Sequence, residues 1–270
     1  MALYLPTGAR PADKSETGHW YTRTGEPAYQ QVTKGGALRG TDLRDARKYG
    51  LVPSVTTVLS VLAKPALEAW KVRQGILAAL TLPRNPDEPD EAYLARVLAD
   101  SKQQAFDAAE EGTRIHDACE CAIKGLPYPT KYRLHVEGAL AKLAEMFPGV
   151  TDWVAEASFA HESGYGGKVD LHSPSTGIVA DYKTTDERAG STKRFHYDQH
   201  YQLAAYQNGL GLPRSECANI FVSRTDPGVA FGHKWKASEI EAGWSVFSAT
   251  LEVWKRLKAF DPSFRMDKAA

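Results

Sequence analysis

The chain has 270 residues, 43% of them hydrophobic and 24% charged, the balance of an ordinary soluble globular protein of one large domain or two small ones. That composition excludes disorder, collagen-like repeats and coiled coil. Lys+Arg and Asp+Glu both total 33, so the chain is no bulk-basic nucleic-acid coat, although a neutral enzyme can still bind DNA through a local basic groove.

Residues 1–50 are rich in Gly, Thr, Lys, Arg and Asp, show little periodicity, and read as a loosely structured arm with room for a short hairpin. The start of the chain lacks a basic region followed by an apolar run, and no stretch approaches the ~20 apolar residues of a membrane span; a cytoplasmic setting is expected. Ser54 is a plausible N-cap for a helix carrying Val58, Leu59, Val61 and Leu62, ended or kinked by Pro65. A second helix is predicted over 66–80, then a proline-spaced loop over 83–89. Helices follow over 90–101, 102–124 and 132–146, the last two stopped by Gly125-Leu126-Pro127 and Phe147-Pro148-Gly149.

The pattern then changes to strands over 150–160, 168–173 and 178–183, a helix over 195–210, strands over 218–223 and 229–234, and an amphipathic helix over 238–260. This order is an α+β or mixed α/β plan with one central sheet. Three cysteines, Cys119, Cys121 and Cys217, are too few for a disulfide framework, and they exclude a four-cysteine metal or iron–sulfur site within the chain. The pair at 119 and 121 reads as ordinary helix packing or solvent exposure.

The most informative stretch runs from Gly167 to Lys183. Pro174-Ser175-Thr176-Gly177 is a turn by composition, and folding the flanking strands about it sets Ser173 opposite Ile178, Asp170 opposite Asp181 and Lys168 opposite Lys183. Strand alternation then puts Asp170, Asp181 and Lys183 on one face, with Val169, Leu171, Ala180 and Tyr182 on the other. Opposed carboxylates repel unless a cation lies between them, and a hard cation such as Mg²⁺ or Mn²⁺ suits carboxylate oxygen. The bland alternative is the solvated side of a hairpin with Lys–Asp pairs.

Two further elements bear on that alternative. Gly112, His116 and Glu120 recur every fourth residue on one helix face; a helix-interior glycine calls for a reason, such as close approach to a strand. Gln202 and Tyr206 share a face of a later helix, preceded by the positive Lys193-Arg194.

Together, Gly112-x-x-x-His116, Gly167-x-x-Asp170, Asp181-x-Lys183 and Gln202-x-x-x-Tyr206 resemble the RecB-type branch of the PD-(D/E)XK nucleases, the group of the mitochondrial genome maintenance exonuclease and its bacterial and phage relatives. Pro53-Ser54-Val55-Thr56 and the following Trp70-Lys71 fit that group too, and the resemblance spans about residues 52–210. It implies a restriction-endonuclease-like α/β core over 103–235, a helical cap over 51–148 and a C-terminal helix over 238–260, all within a nuclease domain of 51–270 behind the 1–50 arm.

The resemblance further implies Asp170 and Asp181 as ligands of Mg²⁺ or Mn²⁺, His116 as a further ligand and Lys183 as the catalytic lysine. Gln202 and Tyr206 would position groups, and Glu156 is an acid of less defined role. The implied activity is DNA hydrolysis from free ends, in replication, recombination or repair. No iron–sulfur cluster or membrane is expected; Trp70, Tyr165 and Tyr201 are candidates to stack on unpaired bases. An inactive DNA-binding or assembly module, an endonuclease of the same fold, an RNA substrate and a homo-oligomer all stay open.

Overall fold

A computed structural model describes residues 18–191 and 198–265. The expected Lys193-Arg194 charge, and the start of the helix expected from 195, lie outside the described residues. The chain opens with strand β1 (Trp20–Tyr21), the hairpin β2 (Gln30–Val32) and β3 (Leu38–Gly40), and helix α1 (Leu43–Tyr49). β1 pairs antiparallel with β4 (Val52–Pro53), which leads into the short helix α2 (Val55–Leu59). Trp20, Ala46 and Leu51 are buried in one core with Val55 and Val58. The loosely structured arm is therefore corrected: its described part, from residue 18, is anchored, because Trp20 and Tyr21 are buried once β4 is paired beside them.

Helix α1 is closed by a reciprocal cap in which Asp42 accepts from the Asp45 amide and Asp45 accepts from the Asp42 amide. Arg39 grips the Asp45 carboxylate through Nη1 and Nη2 at 2.5 and 2.7 Å, and this guanidinium holds the Asp45 carboxyl down at about 2. The folded value lies below the ordinary ~3.9, so the contribution is full above pH ~4 and is lost as pH falls towards 2. Asp45→Asn should cost about 1–2 kcal/mol at neutral pH, muted because Arg39 is half-exposed. Denaturant unfolding across pH should show the gap to wild type closing between pH ~4 and ~2.

Helices α3 (Pro65–Thr81) and α4 (Asp90–Ile123) follow, then a 3₁₀ turn at Thr130–Tyr132 and α5 (Arg133–Met146). The two helices expected over 90–124 are one continuous helix, since nothing between 101 and 102 interrupts the backbone bonds. Strands β5 (Val154–His161), β6 (Tyr165–His172) and β7 (Val179–Thr185), helix α6 (Gln199–Gly209), strands β8 (Cys217–Ser223) and β9 (Ala230–Trp235), and helix α7 (Ala237–Lys258) complete the order.

The five strands form one mixed sheet in the order β5-β6-β7-β8-β9, antiparallel except for β7–β8, which α6 connects as a parallel crossover. Helices cover both faces, as the α/β expectation required. On one face α2, α6 and α7 pack through Val55, Leu203, Ile240 and Phe247. On the other α4 and α5 pack through Ile115, Val136 and Leu143. Among the described residues no helix is long and apolar enough to cross a membrane.

Candidate active site

The turn after β6 is closed by Gly177, whose amide donates to the Ser173 carbonyl and whose φ of 73° is left-handed. It sets Leu171 opposite Ala180 and His172 opposite Val179, the expected register. The ladder then stops one step short of Asp170 and Asp181. The Tyr182 amide donates instead to Asp170 Oδ2 at 2.8 Å, so a side chain occupies a place that a ladder bond would take.

The neighbouring β5–β6 ladder breaks at the same level. Ala155 pairs with Leu171 and Ala157 with Val169, leaving Glu156 opposite Asp170 and unpaired. Glu156 has φ +61°, costly for a residue with a Cβ, and its carboxylate is ion-paired with Lys168. Both strands roll there. Leu171 and Ala155 pack towards α4 and α5, whereas Val169 and Phe159 pack towards α6. The expected grouping of Val169 with Leu171, Ala180 and Tyr182 is thus corrected, because regular alternation does not survive the break.

The break opens a seam through which both helical layers reach the carboxylates. From α4, His116 places Nδ1 3.6 Å from Asp170 Oδ2, and its ring meets that of Tyr182 edge-to-face. Gly112, one turn earlier, is the close approach its presence suggested: a Cβ there would lie 2.8 Å from Thr184 Oγ1 on β7. Glu120, on the same face, is instead paired with Lys124 at 2.5 Å.

From the other face, Lys183 Nζ lies 2.5 Å from Asp181 Oδ2 and donates to Gln202 Oε1 at 3.3 Å. Gln202 Nε2 in turn donates to the Tyr206 hydroxyl at 2.8 Å. This relay explains the Gln-x-x-x-Tyr spacing: one helical turn lets the tyrosine orient the amide, and the amide orient the lysine.

Asp181 is buried, which pushes its carboxyl above the ordinary value; Lys183 pulls against that and Asp170 adds to it. Burial pulls the Lys183 ammonium down, but Asp181 and Asp170 together outweigh burial and leave it raised, hence charged. Tyr206 is buried beside the same carboxylates and its phenol is pushed well up, so it stays neutral.

The glycine of Gly-x-x-Asp also has a local cause. A Cβ on Gly167 would come within 2.8 Å of the Phe159 and Tyr206 rings. Gly167→Ala should therefore cost about 1–3 kcal/mol and displace Tyr206. Chemical denaturation tests the cost; an unshifted midpoint would show that the rings give way freely.

Sequence reasoning missed Asn219. It is fully buried on β8, donates from Nδ2 to Asp181 Oδ2 at 3.0 Å, and accepts at Oδ1 from Trp235 Nε1 at 2.8 Å. A polar residue inside Ala218-Asn219-Ile220-Phe221-Val222 was the available signal. Tyr165, expected to stack on bases, is buried with its hydroxyl donating to the Ala205 carbonyl, so that role is corrected; Trp70 is 39% exposed and Tyr201 partly so.

Two carboxylates and an imidazole suit a hard divalent cation in donor type. Among the described residues, no three His, Cys, Asp or Glu side chains already converge on one point.

No family model matches the chain, and no curated protein does. Among solved structures it is similar to that of SSO0001, at 11% identity over 70% of this chain and 87% of the other, with a TM-score of 0.29. It is also similar to a phage related exonuclease from Haemophilus somnus 129PT, at 15% identity over 67% and 93% of the two chains, TM-score 0.29. An alkaline exonuclease (LHK-Exo) from Laribacter hongkongensis gives 14% identity over 71% and 98%, TM-score 0.29. At these scores the likeness carries neither a fold nor an activity to this chain.

Proposed function

We propose that this chain is a divalent-metal-dependent deoxyribonuclease with a restriction-endonuclease-like core of the RecB-type PD-(D/E)XK branch, acting on free DNA ends. The observation that carries the reading is the seam itself. Asp170 and Asp181 meet where the β6–β7 ladder ends, Lys183 is ion-paired to Asp181, and Gln202 and Tyr206 hold that lysine from α6. A solvated hairpin side, the bland alternative, would not bury Asp181 or tether its lysine from a second element.

Asp170 and Asp181, with His116, would hold Mg²⁺ or Mn²⁺, which when bound supplies charge neutralisation at the phosphate and an activated water. The chain's own groups do the rest. Lys183 spends two of its donors on Asp181 and Gln202, leaving its third N–H for a phosphate oxygen or a water. Its charge, fixed in place before substrate arrives, stabilises the negative charge that grows on the phosphate. Asp170 is held by the Tyr182 amide, so that carboxylate is oriented by backbone rather than by a flexible side chain.

The test is digestion of end-labelled single- and double-stranded DNA, linear and circular, with Mg²⁺ or Mn²⁺ and with EDTA. Release of nucleotides from linear DNA only, abolished by EDTA, is expected. Cutting of circles would make it an endonuclease, and binding without cutting would make it a DNA-binding module. His116→Ala should raise the metal concentration for half-maximal activity about 10–100-fold, with little loss of metal-free stability since the ring is partly exposed. A large fall in metal-free melting temperature with unchanged metal dependence would assign His116 to packing.

A further inference from the structure

We infer that Asn219 is a positioning residue that sets the orientation of the Asp181 carboxylate for metal binding, and that Trp235 sets the orientation of Asn219. The inference rests on the reading of Asp181 as a metal-binding carboxylate. An asparagine amide has an acceptor end and a donor end, and nothing in its shape decides which way it faces. The Trp235 indole N–H can only donate, so at 2.8 Å it claims Asn219 Oδ1 and turns Nδ2 towards Asp181.

Asn219 Nδ2 then donates to Asp181 Oδ2 at 3.0 Å, the same oxygen that Lys183 approaches at 2.5 Å. Among the described residues Oδ1 accepts no hydrogen bond, so the two donors pin one oxygen and leave the other for a cation. Asp181, Asn219 and Trp235 are each at most 2% exposed, so water does not substitute for a missing partner without a rearrangement. Neither Asn219 nor Trp235 belongs to the motifs of the sequence. Their placement follows from the β7–β8 register, Asp181 opposite Asn219, and from β8–β9, which sets Cys217 opposite Trp235.

The experiment is a Mn²⁺ titration of EDTA-stripped protein, followed by electron paramagnetic resonance of the free ion, on wild type, Asn219→Ala, Trp235→Phe and Asp181→Asn. Circular dichroism and melting temperature are recorded without metal. Asn219→Ala should bind Mn²⁺ about 10–100-fold more weakly, the range for losing a partner that orients a ligand. Its kcat on DNA should fall with KM unchanged. Trp235→Phe keeps Asn219, should shift both in the same direction by less, and carries the test should Asn219→Ala fail to fold.

Wild-type Mn²⁺ affinity in Asn219→Ala and Trp235→Phe, with binding lost in Asp181→Asn, would overturn the inference while leaving the metal site standing. A lower melting temperature alone, with Mn²⁺ affinity unchanged, would reduce Asn219 to a buttress of the sheet and overturn it equally. Wild-type affinity in Asp181→Asn would bring down the metal-site reading itself, and this inference with it.

Discussion

Asp181→Asn is expected to abolish DNA cleavage while leaving the protein folded and able to bind DNA. The substitution keeps the shape of the side chain and removes its charge. Burial already raises the Asp181 carboxyl, so its ionised form works against folding, and Asp170 beside it adds repulsion. The neutral amide relieves both. Its partner Lys183 keeps the nearby Asp170 carboxylate and has a side chain that is 31% exposed, so its ammonium is not left buried and unpaired. The metal-free melting temperature should therefore equal or exceed that of wild type. Gel-shift binding with end-labelled DNA in EDTA and nuclease assays in Mn²⁺ check the two halves; retained cleavage would remove Asp181 from the chemistry.

Lys183→Ala should lower the single-turnover rate at saturating DNA by about 10²–10³-fold, the range for removing one preorganised donor that stabilises developing charge. Its effect on DNA affinity should be several-fold at most. A lysine that merely lines the groove gives the opposite split, weaker binding with a normal saturated rate. The hydrogen-bond relay supplies a graded control. Gln202→Ala leaves the ammonium in place but frees it from Tyr206, so its loss of rate should be smaller than that of Lys183→Ala and in the same parameter.

Much of this arrangement is readable from local spacing. Pro174-Ser175-Thr176-Gly177 closes its turn with Gly177 left-handed, so the β6–β7 register follows from composition. Gly112 marks a close helix–strand approach, found at Thr184. The failures are long-range. Where the β6–β7 ladder ends depends on Asp170 taking the Tyr182 amide, and the roll of the strands depends on the backbone of Glu156, which no alternation rule anticipates. Trp20 and Tyr21 belong to a low-periodicity stretch, and they are buried by distant parts of the chain, β4 beside them and, for Trp20, Trp254 of α7. Asn219 lies 38 residues from Asp181, and its role appears only when the parallel crossover brings β8 alongside β7.

The short β6–β7 ladder also has a mechanical side. β5 and β6 are joined from Val154↔His172 to His161↔Tyr165 with one break at Glu156, and β7 and β8 without a break from Ala180↔Ala218 to Thr185↔Ser223. Between those two pairs of strands the ladder holds Leu171↔Ala180 and His172↔Val179, with the Ser173 amide on the Ile178 carbonyl beside the turn. The two halves of the sheet are thus joined by a short ladder at one end and by the Tyr182 amide on the Asp170 carboxylate at the other, with Asp170 on one half and Asp181 on the other. On the metal-binding reading proposed above, the spacing of the two carboxylates is set by this short ladder and the Tyr182 contact rather than by a continuous run of backbone bonds.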